Sequence, residues 1–225
     1  MARAADYRGE RAKMVERQIA QRGISDARVL AALANVPREA FVSQELVSFA
    51  YDDAPLPIGD GQTISQPYIV AFTAEALQLT PTDRVLDIGT GSGYAAAVLS
   101  RLAREVYSVE RVDVLCRSAS ERLRELRYDN VHVQCGDGTL GWREHAPFDA
   151  IAVGAVGPHP PPALLEQLVV GGRLVMPIGP DGSQTLMRLT RTSPSDYSEE
   201  PLVDVRFVPL IGAQGFARRP RKHQH

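Results

Sequence analysis

Three closely spaced glycines follow an apolar stretch in the first half of the chain. Residues 85–94 read VLDIGTGSGY. The apolar residues predict a buried strand, and the glycines predict a turn that leads into a helix. Because glycine has no side chain, such a turn lets the backbone approach a bound nucleotide-like molecule closely. A loop that merely needs positive φ would take glycines too, so the positions of other residues decide between the two interpretations.

An acidic residue lies at the distance that a nucleotide site requires. Glu110 ends the next apolar run, 21 residues beyond Gly89. A carboxylate about 20 residues past the first glycine can accept hydrogen bonds from both hydroxyls of a ribose. The alternative is a solvated acid at a strand end, but the spacing favours the ribose. The strand, turn and acid together predict an adenosyl cofactor.

The spacing of the glycines indicates which cofactor. Dinucleotide sites use G-x-G-x-x-G/A, whereas this chain has G-x-G-x-G and places bulky Tyr94 where the third small residue would stand. An oxidoreductase that binds NAD or FAD is therefore disfavoured. The pattern D-x-G-x-G-x-G after a strand resembles motif I of the methyltransferases that use S-adenosyl-L-methionine and release S-adenosyl-L-homocysteine.

Composition excludes several classes of protein. The 225 residues are 44% hydrophobic and 23% charged, with a net charge of −2, which argues against a general nucleic-acid binder. No apolar run is long enough to span a bilayer, and residues 1–13 contain no signal-peptide pattern. We expect a cytoplasmic, monomeric protein without a metal ion. Cys116 and Cys135 are expected to be reduced and packed, and the basic residues 218–222 to be a solvated end.

The order of predicted elements indicates an α/β protein. Strands are expected at 84–88, 105–110, 131–135, 148–153 and 173–178, and helices at 67–77, 93–102, 112–127 and 161–168. Apolar strands that alternate with helices predict a doubly wound, Rossmann-like parallel sheet. Residues 185–190 and 203–208 alternate with period two and predict an antiparallel pair joined by a loop at 193–200. The expected organisation is a helical segment and loop (1–66, helical over 11–50, with a loop at 51–66), the core (67–215) and a basic tail (216–225).

Polar residues end three of the parallel strands, where ligands of open α/β sheets lie. Asp87 is expected to anchor the glycine loop near the amino-acid end of the cofactor. Asp137 either accepts a hydrogen bond from the adenine amino group or is a turn residue between two glycines. Methyl transfer to a carboxylate needs no general base, so the lack of an obvious catalytic His or Glu near the loop favours carboxyl methylation over hydroxyl methylation.

Segments before and after the glycine loop extend the resemblance to a particular family. The chain resembles the protein-L-isoaspartate (D-aspartate) O-methyltransferases from about residue 11 to 212. The resemblance is carried by several segments: 14–24, 36–38, 50–53, 55–68, 128–131, 136–138, 165–168 and 206–210. The most specific run is GQTISQP at 61–67, which general methyltransferases lack.

The resemblance implies a repair enzyme and its site. Such enzymes methylate the free α-carboxylate of an isoaspartyl residue, or the side chain of a D-aspartyl residue, in aged proteins or peptides. The ester then closes to a succinimide, whose hydrolysis returns some normal aspartate. Ser65 would be the active-site serine that bonds the substrate carboxylate, with Ile64, Val208 and Leu210 also holding the substrate. Motif and resemblance together give these cofactor-binding residues: Gln62, Thr63, Ile64, Asp87, Gly89, Thr90, Gly91, Ser92, Gly93, Glu110, Asp137 and Gly138.

Alternatives remain open at this point. Ser65 precedes a helix that begins with proline, where a serine N-cap is worth ~1 kcal/mol, so capping and catalysis are equally supported by the sequence. Two stretches depart from the family pattern, at Gly154 and at 211–216. The protein could therefore act on one dedicated peptide or a small acid. A non-catalytic module that binds the cofactor is disfavoured, because the motif acids, the glycines and Ser65 are all present.

Overall fold

The computed structural model describes residues 6–180 and 182–217. The strands are β1 (Leu56–Gly59), β2 (Gln62–Ile64), β3 (Arg84–Ile88), β4 (Glu105–Glu110), β5 (Val131–Cys135), β6 (Phe148–Val153), β7 (Leu168–Ile178), β8 (Gln184–Arg191) and β9 (Tyr197–Val205). The α-helices are α1 (Arg8–Lys13), α2 (Ala27–Asn35), α3 (Pro67–Ala76), α4 (Tyr94–Leu99), α5 (Asp113–Glu125) and α6 (Pro162–Glu166).

One mixed sheet of seven strands organises the chain, in the order β5-β4-β3-β6-β7-β8-β9. The strands from β5 to β7 run parallel, and β8 and β9 are antiparallel additions. The predicted fold class is thereby confirmed. The chain direction across the sheet reverses between β3 and β6, so their carboxyl ends form the switch point where open α/β sheets bind ligands.

Residue alternation along the strands explains why both faces of the sheet are covered. On β3, Val85 packs into the core that α2, α3 and α4 share with the sheet, whereas Leu86 and Ile88 pack into the core on the other face. Residues that are buried on both faces are what a parallel sheet between helical layers requires. The first of these cores also contains Met14 and Leu33, so the N-terminal helices are packed onto the sheet.

Three expectations about elements need correction. The loop at 51–66 contains a hairpin, because β1 and β2 pair antiparallel across a turn in which Gly59, Asp60 and Gly61 all have positive φ. The last strand is Tyr197–Val205 instead of 203–208, since pairing with β8 begins directly after a tight turn. The helical segment at 11–50 is broken into short helices, among them a π-helical turn at Met14–Ile19. The expected domain boundary after residue 66 stays a prediction.

The cysteines are not reduced as expected. Cys116 on α5 and Cys135 at the end of β5 form a disulfide, with Cα atoms 5.6 Å apart. Helix α5 crosses back over the sheet between β4 and β5, and this connection brings the two residues together although 19 positions separate them. The bond joins the helix to the strand end that leads into Gly136 and Asp137.

Two expectations concern the ends of the chain and membranes. No helix among the described residues is long and apolar enough to cross a membrane. The basic tail falls mostly at 218–225 and the beginning of the chain at 1–5, both outside the described residues.

Candidate functional site

The glycine loop forms the sharp turn between β3 and α4. Gly89, Gly91 and Gly93 have φ values of 95°, 54° and 91°, which side chains rarely tolerate. A Cβ on Gly93 would lie 3.2 Å from Leu123 of α5, so glycine also allows close packing there. The loop therefore presents bare backbone at the switch point of the sheet.

A chain of hydroxyls anchors this loop to the buried carboxylate of Asp87. The Oγ of Ser108 donates to Asp87 Oδ2 at 2.7 Å and lies 2.6 Å from the hydroxyl of Thr90. Burial raises the pKa of Asp87 to about 6, against the hydrogen bond from Ser108, and nearby Glu110 adds to the rise. Asp87 is thus linked to the loop through the hydroxyls of Ser108 and Thr90, and its place beside the amino-acid end of a cofactor stays a prediction.

Glu110 connects the glycine loop to the start of α5. Its carboxylate accepts hydrogen bonds from the backbone N–H of Gly91 and of Val112, both at 2.8 Å. The residue is only 6% exposed, yet it lines the cleft beside the loop. It is therefore not a solvated strand-end acid, and its position fits a carboxylate that faces a bound ligand.

Asp137 holds the C-terminal segment of the described chain. Its Oδ1 accepts from the N–H and hydroxyl of Thr139, and its Oδ2 accepts from the N–H of Ala213 at 2.7 Å. Burial alone would raise the pKa of Asp137, but the hydrogen bonds from Ala213 and Thr139 outweigh it and lower the pKa. The carboxylate thus fixes the segment whose preceding residues, 208–211, wall the cleft.

A cleft of about 320 Å³ lies between the glycine loop, Glu110, the hairpin and this C-terminal segment. Five glycines line it, among them Gly89 and Gly91 of the loop, together with larger side chains such as Glu110 and Leu210. A Cβ on Gly91 would approach Ile58 to 3.2 Å, and a Cβ on Gly138 would approach Ile88 to 2.6 Å. Glycine at both positions keeps the cradle open, which fits the binding of an adenosyl group.

A second cleft of about 440 Å³ adjoins the first and contains Ser65. The two clefts share Thr63, Gly154 and Val208 in their walls. Arg206 is exposed and lines the second cleft, so a cation is available near the serine. Two ligands that occupy these clefts would meet at the shared residues.

Ser65 does not cap helix α3. The N-cap position is Gln66, and no side chain at that position forms a capping bond. Asp53 supplies the bonds instead: it accepts from the side-chain amide of Gln66 at 2.7 Å and from the N–H of Tyr68 at 3.3 Å. The hydroxyl of Ser65 has no hydrogen-bond partner among residues 6–180 and 182–217, which leaves it available to a ligand.

Comparison with known proteins decides the family. The family model described as protein-L-isoaspartate(D-aspartate) O-methyltransferase matches residues 9–215. The chain belongs to the protein-L-isoaspartate (D-aspartate) O-methyltransferase family. Among its relatives, protein-L-isoaspartate O-methyltransferase 2 of Pelobacter propionicus is 59% identical over 95% of either chain. Protein-L-isoaspartate O-methyltransferase 1 of Rhodopseudomonas palustris is 56% identical over 95% of this chain and 88% of the relative.

Solved structures agree with this membership. A protein-L-isoaspartate O-methyltransferase matches with a TM-score of 0.83 and 31% identity, over 92% of this chain and 67% of the other. A putative protein-L-isoaspartate O-methyltransferase from Plasmodium falciparum, solved in complex with S-adenosyl-L-homocysteine, matches with a TM-score of 0.77 and 27% identity. The match covers 89% of this chain and 98% of the other.

The expected site residues of this methyltransferase fall into three groups. Those that line the first cleft are Gln62, Thr63, Gly89, Gly91, Glu110, Gly138, Val208 and Leu210. Thr63, Ser65 and Val208 line the second cleft, and Ser65 and Asp87 line a small cavity of about 50 Å³ beside both. Five expected residues line none of these three spaces: Ile64, Thr90, Ser92, Gly93 and Asp137.

Sequence reasoning missed three residues of the site. Asp53 and Gln66 lie within the quoted family segments, but only their hydrogen bond shows that they hold the turn at Ser65. Arg206 was quoted in a motif without a role. A site for a carboxylate calls for a cation beside the serine, but the sequence does not show that Arg206 and Ser65 line the same cleft. Within the described ranges, no group of three or more His, Cys, Asp or Glu side chains is placed to hold a metal ion.

Proposed function

We propose that this protein transfers a methyl group from S-adenosyl-L-methionine to the free carboxylate of L-isoaspartyl residues in damaged proteins or peptides. The observation that carries the proposal is the meeting of two clefts at Thr63, Gly154 and Val208. One cleft is a backbone cradle with a buried acid, and the other contains the free hydroxyl of Ser65. Family membership gives the substrate class.

The first cleft suits the cofactor by shape and charge. S-adenosyl-L-methionine supplies an electrophilic methyl group on a positively charged sulfur. Glu110 is placed to accept hydrogen bonds from the ribose hydroxyls while it also holds Gly91. Glu110 is the acid of this cleft, whose wall also contains Arg111, and its carboxylate attracts the cationic cofactor more than the neutral product. Gly138 and Leu210 would face the rest of the nucleoside.

The second cleft suits a carboxylate acceptor. The Ser65 hydroxyl can donate to one carboxylate oxygen and so orient the other toward the first cleft. The nucleophile is already charged, so this step requires no general base. Arg206 would offer a cation to the acceptor carboxylate, beside Asp204 in the same wall. The C-terminal segment fixed by Asp137 would hold the peptide backbone along Val208.

The proposed product leads to repair without further help from the protein. Methoxide leaves an ester far more readily than oxide leaves a carboxylate. The amide nitrogen of the isoaspartyl linkage therefore attacks the ester carbonyl, methanol leaves with the amide proton, and a succinimide forms. Hydrolysis of the ring returns part of the material as normal aspartyl peptide, and repeated cycles enrich it. The same proposal extends to D-aspartyl residues, whose side-chain carboxylate is a free acceptor of the same chemistry.

Conversion of a purified isoaspartyl peptide tests this proposal. In the presence of the protein and S-adenosyl-L-methionine, chromatography should show the succinimide first and the normal aspartyl peptide later. A protein that binds the cofactor but leaves the peptide unchanged would point to a dedicated acceptor, and the Gly154 and 211–216 departures would be the first places to look.

We further propose that the protein acts as a monomer in the cytoplasm and binds no nucleic acid. Within residues 6–180 and 182–217, the large exposed apolar side chains are Phe49, Val114, Leu140 and Val170, one from each of four separate elements. The net charge of −2 gives no attraction to phosphate backbones. The Cys116–Cys135 disulfide is uncommon for a reducing compartment, so thiol labelling in rapidly quenched cells tests the location.

A further inference from the structure

Gly154 is the residue at which three cavities meet. It lines the cofactor cleft, the cleft of Ser65, and the small cavity of about 50 Å³ that Asp87 faces. It follows the last residue of β6, and its N–H donates to the carbonyl of Ile88 at 2.8 Å. Its backbone is therefore fixed at the switch point of the sheet.

The backbone does not require glycine at this position. Gly89, directly opposite, has a φ of 95° and is needed for its turn, whereas Gly154 is not among the residues with positive φ. A Cβ built on Gly154 would lie 3.4 Å from the oxygen of Ile88 and 3.6 Å from that of Gly89, which are ordinary contacts. An alanine would therefore fit the backbone here. What glycine contributes is the absence of a methyl group at the place where the three cavities meet.

The open space continues into an apolar pocket. The walls of the small cavity include Ile69, Ala95 and Leu99, and Ser65 lies at its edge. A volume of about 50 Å³ exceeds the roughly 30 Å³ share of one water molecule, so the cavity can hold one more methylene group. The space adjoins the point where the two large clefts meet.

We propose that Gly154 lets this protein bind and transfer an alkyl group larger than methyl, with ethyl as the test case. The inference rests on the proposed methyl transfer. In the added reaction, a carboxylate oxygen of the acceptor forms a bond to the first ethyl carbon of S-adenosyl-L-ethionine. The carbon–sulfur bond breaks, its electron pair stays on sulfur, and S-adenosyl-L-homocysteine leaves. No proton, oxidant or reductant is needed.

The experiment compares two donors in two proteins. S-adenosyl-L-methionine and S-adenosyl-L-ethionine are each offered with an isoaspartyl peptide, and the methyl and ethyl esters are separated by mass. Wild-type protein is expected to form the ethyl ester. In Gly154→Ala the ratio of ethyl to methyl rates should fall about 10-fold, the lower end of the effect of one methylene in a shaped pocket. Because the ratio is taken on one preparation, a change in the active fraction cancels.

Calorimetry gives a readout that does not depend on turnover. The ratio of the Kd for S-adenosyl-L-ethionine to that for S-adenosyl-L-methionine should rise about 10-fold in Gly154→Ala. S-adenosyl-L-homocysteine lacks the alkyl group and controls for general damage to the cleft. Gly9→Ala, an exposed glycine of α1 with nothing near its added Cβ, is the matched variant and should change neither ratio. If Gly154→Ala does not fold, judged by circular dichroism, Ala95→Val replaces it and narrows the same small cavity from another wall.

Three results are decisive. Methyl transfer without any ethyl transfer by wild type would overturn the inference and leave the proposed function intact. Equal ratios in wild type and Gly154→Ala would also overturn it. Absence of methyl transfer to the isoaspartyl peptide would refute the proposed function itself, and the binding ratio would then be the remaining test of the alkyl pocket.

Discussion

The carboxylate of Asp53 accepts a hydrogen bond from the side-chain amide of Gln66 at 2.7 Å, across 13 positions of chain. The same carboxylate pairs with Arg22, whose guanidinium lies 3.5 Å from the ring centroid of Tyr68. The N-terminal helical segment therefore fixes the turn that presents Ser65. Asp53 is a positioning residue, because it acts on the site through Gln66.

Replacement of Asp53 should impair the acceptor site and spare the cofactor site. In Asp53→Ala we expect kcat/KM for an isoaspartyl peptide to fall about 10-fold, since the loss of a hydrogen bond to a charged group costs about 1.5–3 kcal/mol. The Kd for S-adenosyl-L-methionine should not change. Asp53→Asn keeps an acceptor for Gln66 and should recover part of the rate. The exposed neighbour variant Asp52→Ala is the control and should match wild type.

Removal of the Ser65 hydroxyl separates catalysis from helix capping. Ser65→Ala should lower kcat about 10- to 100-fold through loss of a hydrogen bond to the substrate carboxylate, with unchanged cofactor Kd. The melting temperature should stay the same, because Ser65 does not cap α3. Exposed Ser25→Ala serves as the matched control. Unchanged kcat together with a lower melting temperature would assign the serine to capping and contradict this account.

The buried carboxylate of Asp87 should make stability depend on pH in a particular direction. Its pKa is raised by burial to about 6 from 3.8, so between these values the folded protein binds more protons than the unfolded chain. The free energy of unfolding therefore falls as pH rises through this window. Above pH 6 the ionised Asp87 lowers it by the full amount, about 3 kcal/mol.

Asp87→Asn tests that direction. Asparagine can still accept from Ser108, so the variant should be more stable than wild type at pH 7.5 by up to about 3 kcal/mol, with the difference vanishing near pH 4. Cofactor binding should weaken, because the carboxylate that anchors the glycine loop through Ser108 and Thr90 is replaced by a weaker, neutral acceptor. Urea unfolding at several pH values measures the first effect and calorimetry the second. A stability difference that grows toward acid pH would show that the pKa is lowered instead.

Neutralisation of Glu110 should weaken the cofactor site. Glu110→Gln exchanges a charged acceptor of the Gly91 and Val112 amides for a neutral one and weakens the proposed bonds to the ribose. We expect the Kd for S-adenosyl-L-methionine to rise about 10-fold, with little change in the KM of the peptide. Glu121→Gln on the exposed face of α5 is the control. An unchanged Kd in Glu110→Gln would exclude Glu110 from the cofactor site.

The disulfide should contribute to stability. A disulfide between residues 19 positions apart lowers the conformational entropy of the unfolded chain. In the loop-entropy model this raises the free energy of unfolding by about 3 kcal/mol. The double variant Cys116→Ser/Cys135→Ser should unfold at lower denaturant concentration than untreated protein, and reductant should shift only the wild type. Thiol titration of the denatured, unreduced protein should find no free thiol. Two free thiols would restore the expectation of reduced cysteines.

The parallel core could be predicted from sequence because its signals are local. The strands at 84–88, 105–110, 131–135 and 148–153 are short apolar runs with a glycine, an acid or a turn at their ends. The glycine loop and Glu110 follow from spacing alone. The β1–β2 hairpin was missed because its strands are very short and lie in a segment rich in proline and glycine, whose composition is that of a loop.

Contacts between distant parts of the chain could not be predicted. Asp137 was expected either to face the adenine or to form a turn. Its carboxylate does bond Thr139 in the turn, but its bond to Ala213, 76 positions away, was not foreseen. The pairing of Cys116 with Cys135 depends in the same way on how α5 crosses the sheet. The space at Gly154 likewise depends on three cavities whose walls come from distant parts of the chain. A single sequence contains no local pattern for any of these relationships.

Methyl incorporation from labelled S-adenosyl-L-methionine into three matched peptides tests the central claim most directly. The peptides contain an L-isoaspartyl residue, a normal L-aspartyl residue, and an isoaspartyl residue whose α-carboxyl is amidated. We expect base-labile label in the first peptide alone, which would place the methyl group on the free α-carboxylate. Equal labelling of the normal aspartyl peptide, or labelling of the amidated one, would contradict the account, and so would absence of label from all three while the cofactor binds.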